Sequence, residues 1–489
     1  MATQPTNLSV PSESPRDLKF NAGKIDEFVT SLAQQYIDRF GNAHYTIEGL
    51  RQLVLQQIYN LGWNLEGSFQ DGGTVTSAGD LLQDESTNIW YRWDDLDTLP
   101  KTVPSGSTPE SAGGVGEGKW LPVDVSDVLR KDLAKPTGSS LIGYQYPADG
   151  SVQRTVQDKL DDSVSVLDFG AKGDGVTDDS VAFREAIATG KTVYVPDTSG
   201  DDTGCVYRVS GVDCASIKII GESQRVEIQP ATADTRILNL KGLSPTSPAK
   251  GCFIRNISFS SPETPEFQFL DAVLLENSNQ CDVSNVTLYR VQLTVIGHNY
   301  LRLDKINGIG AKISVTRHSG DSIDNAVGLM IKDSFLAYNS EVDIRNSTDT
   351  RIVDTYIANS KDGSTGLNHD FDAEFLPGGT LFFGGVLMIT NVICECVCII
   401  KYTALSKFTG FWAGAFHGNG LTLLYSYGLL GTNCTFHYST GAGVYARNLT
   451  DCTFVSSSFT NSEGGGFDLD ESIRTTFVAC TFSKFELYE

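Results

Sequence analysis

Acidic side chains recur in three short strand-like stretches, SEVDIRN, HDFDAEF and ICECVC, between residues 340 and 398. Because successive side chains of a strand point to opposite faces, Val342, Ile344 and Phe371 are predicted to point inward and the acids between them outward. The cysteines of ICECVC point inward by the same alternation. The predicted outward acids are Glu341, Asp343, Asp370, Asp372, Glu374 and Glu395.

Paired carboxyl groups carry out glycoside hydrolysis, in which two acids flank one bond at about 5 to 5.5 Å for retention or about 6.5 to 9.5 Å for inversion. The steps from Asp343 to Asp370 and from Asp370 to Glu395 are 27 and 25 residues. Each step is about one rung of a coil of stacked strands roughly 4.8 Å apart. The acids are therefore predicted to stack on one face, with Asp370 and Asp372 as the first catalytic candidates. The alternative is a solvated face on a chain with 60 Asp and Glu residues.

Aromatic and basic side chains could complete such a site. Trp412, Tyr425 and Tyr427 could stack on sugar faces, with Arg345 beside the acids, although the rings could equally lie in the core or at a subunit contact. A lyase would instead need a base and a cation next to a uronate carboxyl. The candidates for that chemistry are His318, His369 and Arg317, and weaker acidic candidates are Asp321, Asp324, Asp468 and Asp470.

Neither the cysteines nor the glycine-rich turn predicts a bound cofactor. Cys394, Cys396 and Cys398 alternate in one strand and share one inward face without histidines nearby, so the ten cysteines are interpreted as reduced core residues and no metal is predicted. The turn DFGAKGDGVTDD lacks the lysine ending of a phosphate loop and the spaced oxygen ligands of a calcium hand, which favours a structural turn.

The composition limits the partners of the chain. A net charge of −23 opposes nucleic-acid binding, which needs clustered Lys and Arg. No run of about 18 apolar residues predicts insertion into a membrane. The N-terminus MATQPTNLSV has no basic patch followed by an apolar core, so the chain is expected to be made in a cytoplasm without a secretion signal.

The stretch from Ser165 to Pro196 combines a short strand, an acidic glycine turn, a helix over 179–189 and a second strand. After Pro196 the chain repeats short strands, with related pieces such as RNISF and SNVTL, 29 residues apart, and TNVIC and TNCTF, 42 residues apart. This spacing fits a solenoid with about 20 to 30 residues in each rung. A β-sandwich is the alternative, but it would need hairpin turns and fewer strands.

The chain before this region follows different patterns. Residues 1–20 are rich in Pro and Ser and predict a flexible arm. Apolar residues from Ile25 to Phe40 and from Ile47 to Leu61 fall at helical spacing, with Thr46 as the cap of the second helix. Aromatic strands between Trp63 and Val123 predict a small β-rich module, and a neck follows.

The segment DFGAKGDGVTDD with its short helix and the strand TVYVP resembles the opening of the pectate-lyase-like right-handed parallel β-helix, in particular that of tailspike proteins of tailed bacteriophages. The pieces YRWDD, GSTPESAGGVGEGKWLPV and LRKDLAKPTGSSLIGY resemble the virion-anchoring head in front of such helices. The resemblance implies a mainly β protein, a right-handed parallel β-helix behind a small α/β-rich N-terminal anchor. The implied division is arm 1–20, head 21–127, neck 128–162 and capped β-helix 163–489.

The same resemblance implies a homotrimer in the virion tail that docks on other tail proteins through residues 1–160 and binds a bacterial surface polysaccharide, O-antigen or capsule. Glycoside hydrolysis at the acids of residues 341–395 is the leading hypothesis. A spike or tail adaptor that only binds is one alternative, favoured because the sequence runs to SKFELYE directly after a strand. A polysaccharide lyase is another, which the acidic net charge disfavours unless its groove is locally basic.

Overall fold

The structure is a computed structural model of the whole chain, in which two compact units comprise residues 1–159 and 160–489. It describes residues 4–7, 9, 12–60, 63–123, 132–201, 203–233, 235–265, 268–317, 326–361, 364–371, 374–375, 381–382, 385–483 and 485–487.

The first helix of the N-terminal unit, α1 (Pro15–Thr30), differs from the prediction at both ends. It begins within the segment predicted to be a flexible arm, because proline is tolerated in the first turn of a helix, where its missing N–H would have no partner. It ends well before Phe40, since Gln35–Ile37 pairs antiparallel with Ala43–Tyr45.

Asp17 on α1 ties down part of the preceding arm. Its buried carboxylate accepts hydrogen bonds of 2.6 Å from the hydroxyls of Thr6 and Ser12, and it pairs with Arg39 at 2.8 Å. These bonds to the charged form hold the pKa of Asp17 low, at about 2. The described residues of the arm are therefore not simply a free tail.

The second helix, α2 (Ile47–Asn60), confirms its prediction. The hydroxyl of Thr46 accepts a hydrogen bond of 2.9 Å from the backbone N–H of Gly49, as expected of a helix cap. Apolar side chains on both helices remain exposed, among them Ile25 at 66% and Val54 at 58%.

The predicted β-rich module is confirmed as a four-stranded sheet with a two-stranded partner. Its core packs the buried rings of Phe69, Tyr91, Trp93 and Trp120. Its strands are Asn64–Ser68, Gly73–Val75, Asp80–Asp84, Ile89–Trp93, Lys101–Val103 and Trp120–Pro122. The following neck holds a 3-10 turn at Gly138–Leu141, the paired strands Gly143–Tyr144 and Arg154–Thr155, and the short helix α3 (Val156–Leu160).

The second unit opens with the predicted turn and helix. After the strand Ser163–Ser165, the carboxylate of Asp179 accepts hydrogen bonds from the backbone N–H groups of Lys172 at 2.7 Å and Gly173 at 3.1 Å. A Cβ on Gly173 would lie 2.6 Å from Thr198 Oγ1, and its φ is +61°. The acidic glycine turn is thus structural, and helix α4 (Ser180–Ala188) follows it.

The rest of the unit is the predicted parallel β-helix. Each rung contributes three strands, which form three parallel stacks named A, B and C. The strands of A and B join into one sheet of 23 strands, and those of C lie in a second sheet of 14. In the last rungs the strands of stack C begin at Cys398, Leu421, Val444 and Phe467, a repeat of 23 residues that matches the predicted rung length.

Three long strands serve both A and B, with A taking their first halves and B their second halves: Phe253–Ser260, Asp282–Tyr289 and Arg302–Ile309. The other strands of stack A are Ser163–Ser165, Thr192–Val195, Lys218–Gly221, Met330–Lys332, Thr350–Val353, Leu387–Thr390, Lys407–Thr409, Leu430–Thr432, Thr453–Val455 and Thr476–Val478. Those of stack B are Asp174–Asp178, Cys205–Arg208, Val226–Gln229, Phe335–Ala337, Tyr356–Ala358, Ile393–Glu395, Trp412–Gly414, Thr435–His437, Ser458–Thr460 and Thr481–Phe482. The strands of sheet C are Val212–Cys214, Leu238–Lys241, Ala249–Lys250, Leu270–Asn279, Val291–Asn299, Lys312–Thr316, Ala326–Val327, Glu341–Arg345, Leu367–Asp370, Cys398–Lys401, Leu421–Leu424, Val444–Arg447, Phe467–Asp470 and Phe485–Leu487.

Stacked identical residues hold the coil together. Inside, Phe436, Phe459 and Phe482 lie one above another with ring centroids 5.5 and 5.1 Å apart. At the corner between stacks A and B, Asn256 and Asn285 take left-handed φ of +54°, and their side chains bond at 2.9 Å. Asparagine tolerates this conformation better than most residues, which explains the repeated Asn in the strand pieces.

Candidate active site on stack C

The acids predicted on strand Glu341–Arg345 face outward from stack C. Val342 and Ile344 are buried, while Glu341 and Asp343 keep part of their side chains exposed, as the alternation predicted. On the next strand, Leu367–Asp370, Asp370 faces outward and His369 inward. The structure therefore brings Glu341, Asp343 and Asp370 together on one face, which we call the acid ridge.

Each acid of the ridge has a cationic partner. Glu341 pairs with Lys312 at 3.0 Å and Asp370 pairs with Lys401 at 3.0 Å. Asp343 receives two hydrogen bonds, from Arg345 Nε at 3.1 Å and from the amide of Asn368 at 2.8 Å. Opposite charges therefore alternate on the ridge. Lys312 and Lys401 lie on the strands of neighbouring rungs, and Arg345 lies on the same strand as Asp343.

The strand register sets the distance between the acids. Asp343 pairs across the ladder with Asn368, and Arg345 pairs with Asp370, so Asp343 and Asp370 are diagonal neighbours. One strand spacing and two residues along a strand separate them, which places their Cα atoms about 8 Å apart. Side chains that leave one face of a sheet at this Cα separation can place their carboxyl groups at the distance found in inverting glycosidases, about 6.5 to 9.5 Å.

Glu395 does not belong to this ridge, contrary to the prediction from sequence spacing. It lies on stack B, where its register partners are Ala358 and Gly414. The rung that follows Asp370 places Lys401 beside it, 31 residues on, because residues are inserted between the two strands. The similar sequence steps from Asp343 to Asp370 and from Asp370 to Glu395 therefore do not lead to the same stack of the coil.

Part of the inserted segment explains the position of Glu374. The strand Glu374–Phe375 pairs antiparallel with Leu381–Phe382, so it forms a hairpin and not a further strand of the coil. The prediction that Glu374 lies on the same stacked face as Asp370 is wrong for this reason. Asp372 lies outside the described residues, as do His318, Asp321 and Asp324.

The predicted sugar-stacking residues occupy different corners of the coil. Tyr425 lies where stack C ends, with its ring stacked on Tyr402 at 4.8 Å, and Tyr427 follows before stack A. Trp412 lies on stack B and donates a hydrogen bond of 2.7 Å from Nε1 to His437. Among the four predicted binding residues, only Arg345 lies on the acid ridge.

Trp412 instead belongs to a column of stack B that sequence spacing did not reveal, and Glu395 lies two residues along the strand from this column. Phe335, Tyr356, Ile393 and Trp412 are successive register neighbours there. The rings of Phe335 and Tyr356 stack at 4.9 Å, and Tyr356 donates a 2.7 Å hydrogen bond to Glu395. Burial and this carboxylate raise the pKa of Tyr356 to about 12. The irregular steps between these residues in the sequence hid the column.

A cleft at the corner between stacks B and C was also missed. One part, of about 540 Å³, is lined by Arg208, Glu263 and Asp271; a second part, of about 230 Å³, is lined by Tyr289, Arg290 and Tyr338. The two parts share Gln268 and Phe269, so we treat them as one corner groove. Its residues come from several rungs and one loop, and no single motif in the sequence marks them.

Of the residues considered for a lyase, the two that the structure describes, His369 and Arg317, do not form a basic site. His369 lies in the coil interior, where burial lowers its pKa to about 4, so it does not reach a polymer on the surface. Arg317 places its guanidinium 5.8 Å from the ring of Phe371. Asp470, another weaker candidate, pairs with Arg447 at 3.2 Å, and Asp468 lies on the same strand near the last rung.

The sulfurs of Cys394, Cys396 and Cys398 lie within 4.8 Å of one another and could in principle hold a soft metal ion. All three cysteines are buried in the apolar core, which confirms that they point inward. Burial raises the pKa of the Cys394 and Cys398 thiols well above its ordinary value, and only Cys396, whose pKa is lowered by hydrogen bonds with these two thiols, favours the thiolate form that a metal requires. We therefore interpret the cluster as core packing.

Among the described helices, none is both long and apolar enough to cross a membrane.

Three segments of the chain match known families. Residues 60–126 match the tail spike TSP1/Gp66 receptor binding N-terminal domain, residues 163–373 the rhamnogalacturonase A/epimerase, pectate lyase-like family, and residues 384–487 the right handed beta helix region. Together with the observed stacks, these matches define a right-handed parallel β-helix protein with a tail spike N-terminal domain.

Individual proteins extend this likeness. The chain is 34% identical over 126 residues to a capsule KL64-specific depolymerase of Klebsiella phage P510, covering 26% of this chain and 12% of that protein. It is 41% identical over 75 residues to a tail spike protein of an Escherichia phage, covering 15% of this chain and 8% of that protein. The chain therefore matches about an eighth or less of the length of these two relatives.

A solved structure supports the fold over nearly the whole chain. Tailspike protein 3 of bacteriophage CBA120 has a TM-score of 0.64 and 24% sequence identity, over 91% of this chain and 72% of that one. The resemblance to tailspike proteins of tailed phages that the sequence predicted is thus confirmed. Tailspikes are components of the virion tail, the location that was expected for this chain.

Proposed function

We propose that this chain is a tailspike that attaches to the host surface and cleaves a bacterial surface polysaccharide, O-antigen or capsule, by glycoside hydrolysis at the acid ridge. The observation that carries the proposal is the diagonal placement of Asp343 and Asp370 on neighbouring strands of one exposed face. The depolymerase and tail spike names of the relatives support the class of substrate.

The two acids have different surroundings, and this suggests their roles. Asp343 accepts hydrogen bonds from Arg345 and Asn368. Asp343, which these two bonds hold in place, is assigned as the base that takes a proton from the attacking water. Asp370 has the more exposed side chain, 31% against 17%. It is assigned as the acid that, once the substrate has displaced Lys401, protonates the leaving oxygen, while the water activated by the base attacks the anomeric carbon from the opposite face and inverts its configuration.

The remaining partners follow from the tailspike class. Residues 1–160 would dock on other tail proteins, and the chain would assemble as a homotrimer. The exposed apolar side chains of α1 and α2 support assembly, because exposed apolar surface of this kind marks interaction sites.

Asp372, the acid paired with Asp370 in the prediction from sequence, stays a candidate for the catalytic base alongside Asp343.

The proposal is tested by incubating the full-length protein with a panel of purified O-antigen and capsular polysaccharides and measuring new reducing ends. Asp343→Asn and Asp370→Asn should each reduce turnover at least 100-fold, by analogy with the usual size of general acid–base contributions. Binding and melting temperature should change little, because both changes are isosteric and on the surface. Asp213→Asn, on an exposed strand of the same stack, is the matched control.

Cleavage within about twofold of the wild type in both ridge variants would contradict the site. Products with a new ultraviolet-absorbing double bond would indicate a lyase instead.

A spike that only binds its receptor is the second candidate. It is favoured by one observation, that all three acids of the ridge already have cationic partners in the protein without substrate. A bound polymer with no cleavage by the wild-type protein would support this alternative.

A further inference from the structure

The corner groove runs along the coil toward the acid ridge. Its walls come from the corner between stacks B and C in five successive rungs, near residues 230, 261, 290, 310 and 338. At roughly 4.8 Å for each rung, this is a path of about 19 Å. The last lining residue, Asn339, precedes Glu341 by two positions, so the groove ends where the acid ridge begins.

Two arginines in the groove keep their charge without a carboxylate partner in the described part of the chain. Arg208 donates to the backbone carbonyls of Gly175 at 2.9 Å and Pro230 at 3.3 Å. Arg290 donates to the carbonyls of Pro262 at 3.4 Å and Thr264 at 3.1 Å. Because carbonyl oxygens are neutral, both guanidinium charges remain available to an anion, and each has donors left over.

The acids of the groove do not cancel this charge. Asp271 forms an ion pair with Arg236 and also accepts a 2.7 Å hydrogen bond from Thr294. Glu263, which is exposed, is the other carboxylate among the described residues of the lining. Because Arg236, outside the lining, neutralises Asp271, the described lining sets the charges of Arg208 and Arg290 against that of Glu263 alone, on a chain whose net charge is −23.

Rings and amides complete a surface suited to sugars. Tyr338 is 72% exposed at one end of the groove. Phe269 lines both parts of the groove, and the Arg290 guanidinium lies 5.3 Å from the ring centre of Tyr289. The amides of Gln268 and Asn339 offer both donors and acceptors to hydroxyl groups. Rings present apolar faces for stacking, and the planar guanidinium can bind a carboxylate through two parallel hydrogen bonds.

We infer that the corner groove binds an acidic segment of the polysaccharide, with carboxylate-bearing sugar units facing Arg208 and Arg290, and leads the polymer to the acid ridge. This inference rests on the proposed function and specifies its substrate class. The positive groove also removes the objection that an acidic protein would repel an acidic polymer, because the local charge and not the net charge acts at contact distance.

The test measures binding of a hyaluronan hexasaccharide, whose glucuronate units carry carboxylates, and of the same hexasaccharide after carboxyl reduction. The full-length protein should bind the acidic form at least tenfold more tightly, with affinity that falls as salt is raised. Arg290→Gln should weaken binding at least fivefold, and Arg290→Lys should restore part of it. Arg255→Gln, an exposed arginine of stack A that pairs with Asp282, is the matched control.

Equal affinity for the two forms, no binding of the acidic form, or unchanged binding in Arg290→Gln would overturn the inference. Because Arg290 also anchors the loop at Pro262, Arg208→Gln provides a second variant, and the melting temperature of each variant shows whether it is folded. The assay needs no turnover, so it is independent of the proposed hydrolysis.

Discussion

Acidification should destabilise the β-helix well above the pH at which carboxylates titrate, because two histidines lie in its interior. His298 and His369 are buried on inward positions of stack C, and His298 contacts the hydroxyl of Ser347 at 3.2 Å. Burial lowers the pKa of each imidazole from 6.5 to about 4. Each group therefore folds in its neutral form and protonates more readily in the unfolded chain.

The sign and size follow from linkage between protonation and folding. As the pH falls below 6.5 the unfolded state binds more protons than the folded state, so the free energy of unfolding decreases until the pH reaches about 4. At pH 5.5 the loss relative to pH 7.5 is roughly 1 to 2 kcal/mol for each histidine, and about 3 kcal/mol for the pair. Guanidinium titrations of the full-length protein, at one protein concentration, measure this difference.

A variant without the two imidazoles separates their effect from that of other groups. The double variant His298→Gln with His369→Gln should be less stable at pH 7.5, since both sites are packed, but it should lose little further stability between pH 7.5 and 5.5. If wild type and double variant lost the same free energy over this interval, the histidines would not be the cause and the reasoning from burial would be refuted.

Two further predictions concern packing and assembly. Phe459→Ala should lower the free energy of unfolding by about 3 to 5 kcal/mol, because the buried ring of Phe459 lies between those of Phe436 and Phe482. The control Phe416→Ala, at a position that is 67% exposed, should change this free energy by no more than about 0.5 kcal/mol. Equal midpoints of chemical denaturation for the two variants would contradict this prediction. Light scattering should give about 160 kDa for a homotrimer, and a value near the chain mass of 53.0 kDa would refute assembly.

Much of the fold could be predicted because its signals are local. Alternation identified the inward faces of Val342, Ile344 and the three cysteines, and Thr46 marked the start of α2 correctly. The start of α1 was missed because Pro15 was interpreted as preventing a helix, although proline is compatible with the first turn. Such errors concern one element and leave the architecture unchanged.

The site was harder to predict because it depends on register between rungs. Asp343 and Asp370 were predicted to share a face and do, since no insertion disturbs the rung between them. Glu395 was placed with them by its sequence distance, but the hairpin at Glu374–Phe375 lengthens that rung and moves Glu395 onto stack B. The corner groove combines residues from five rungs, and sequence spacing carries no information about corners of that kind.

The corner between stacks A and B also limits how such a protein can diversify. In each rung from Asn256 to Ala479, one residue with a left-handed φ forms this corner. From Val353 onward, two residues separate the strand of stack A from the strand of stack B in every rung. An insertion there would break pairing with the rungs above and below. In these rungs new loops are therefore expected at the other two corners, which border the stack that carries the acid ridge, whereas the first rungs hold the longer connection 196–204 at this corner.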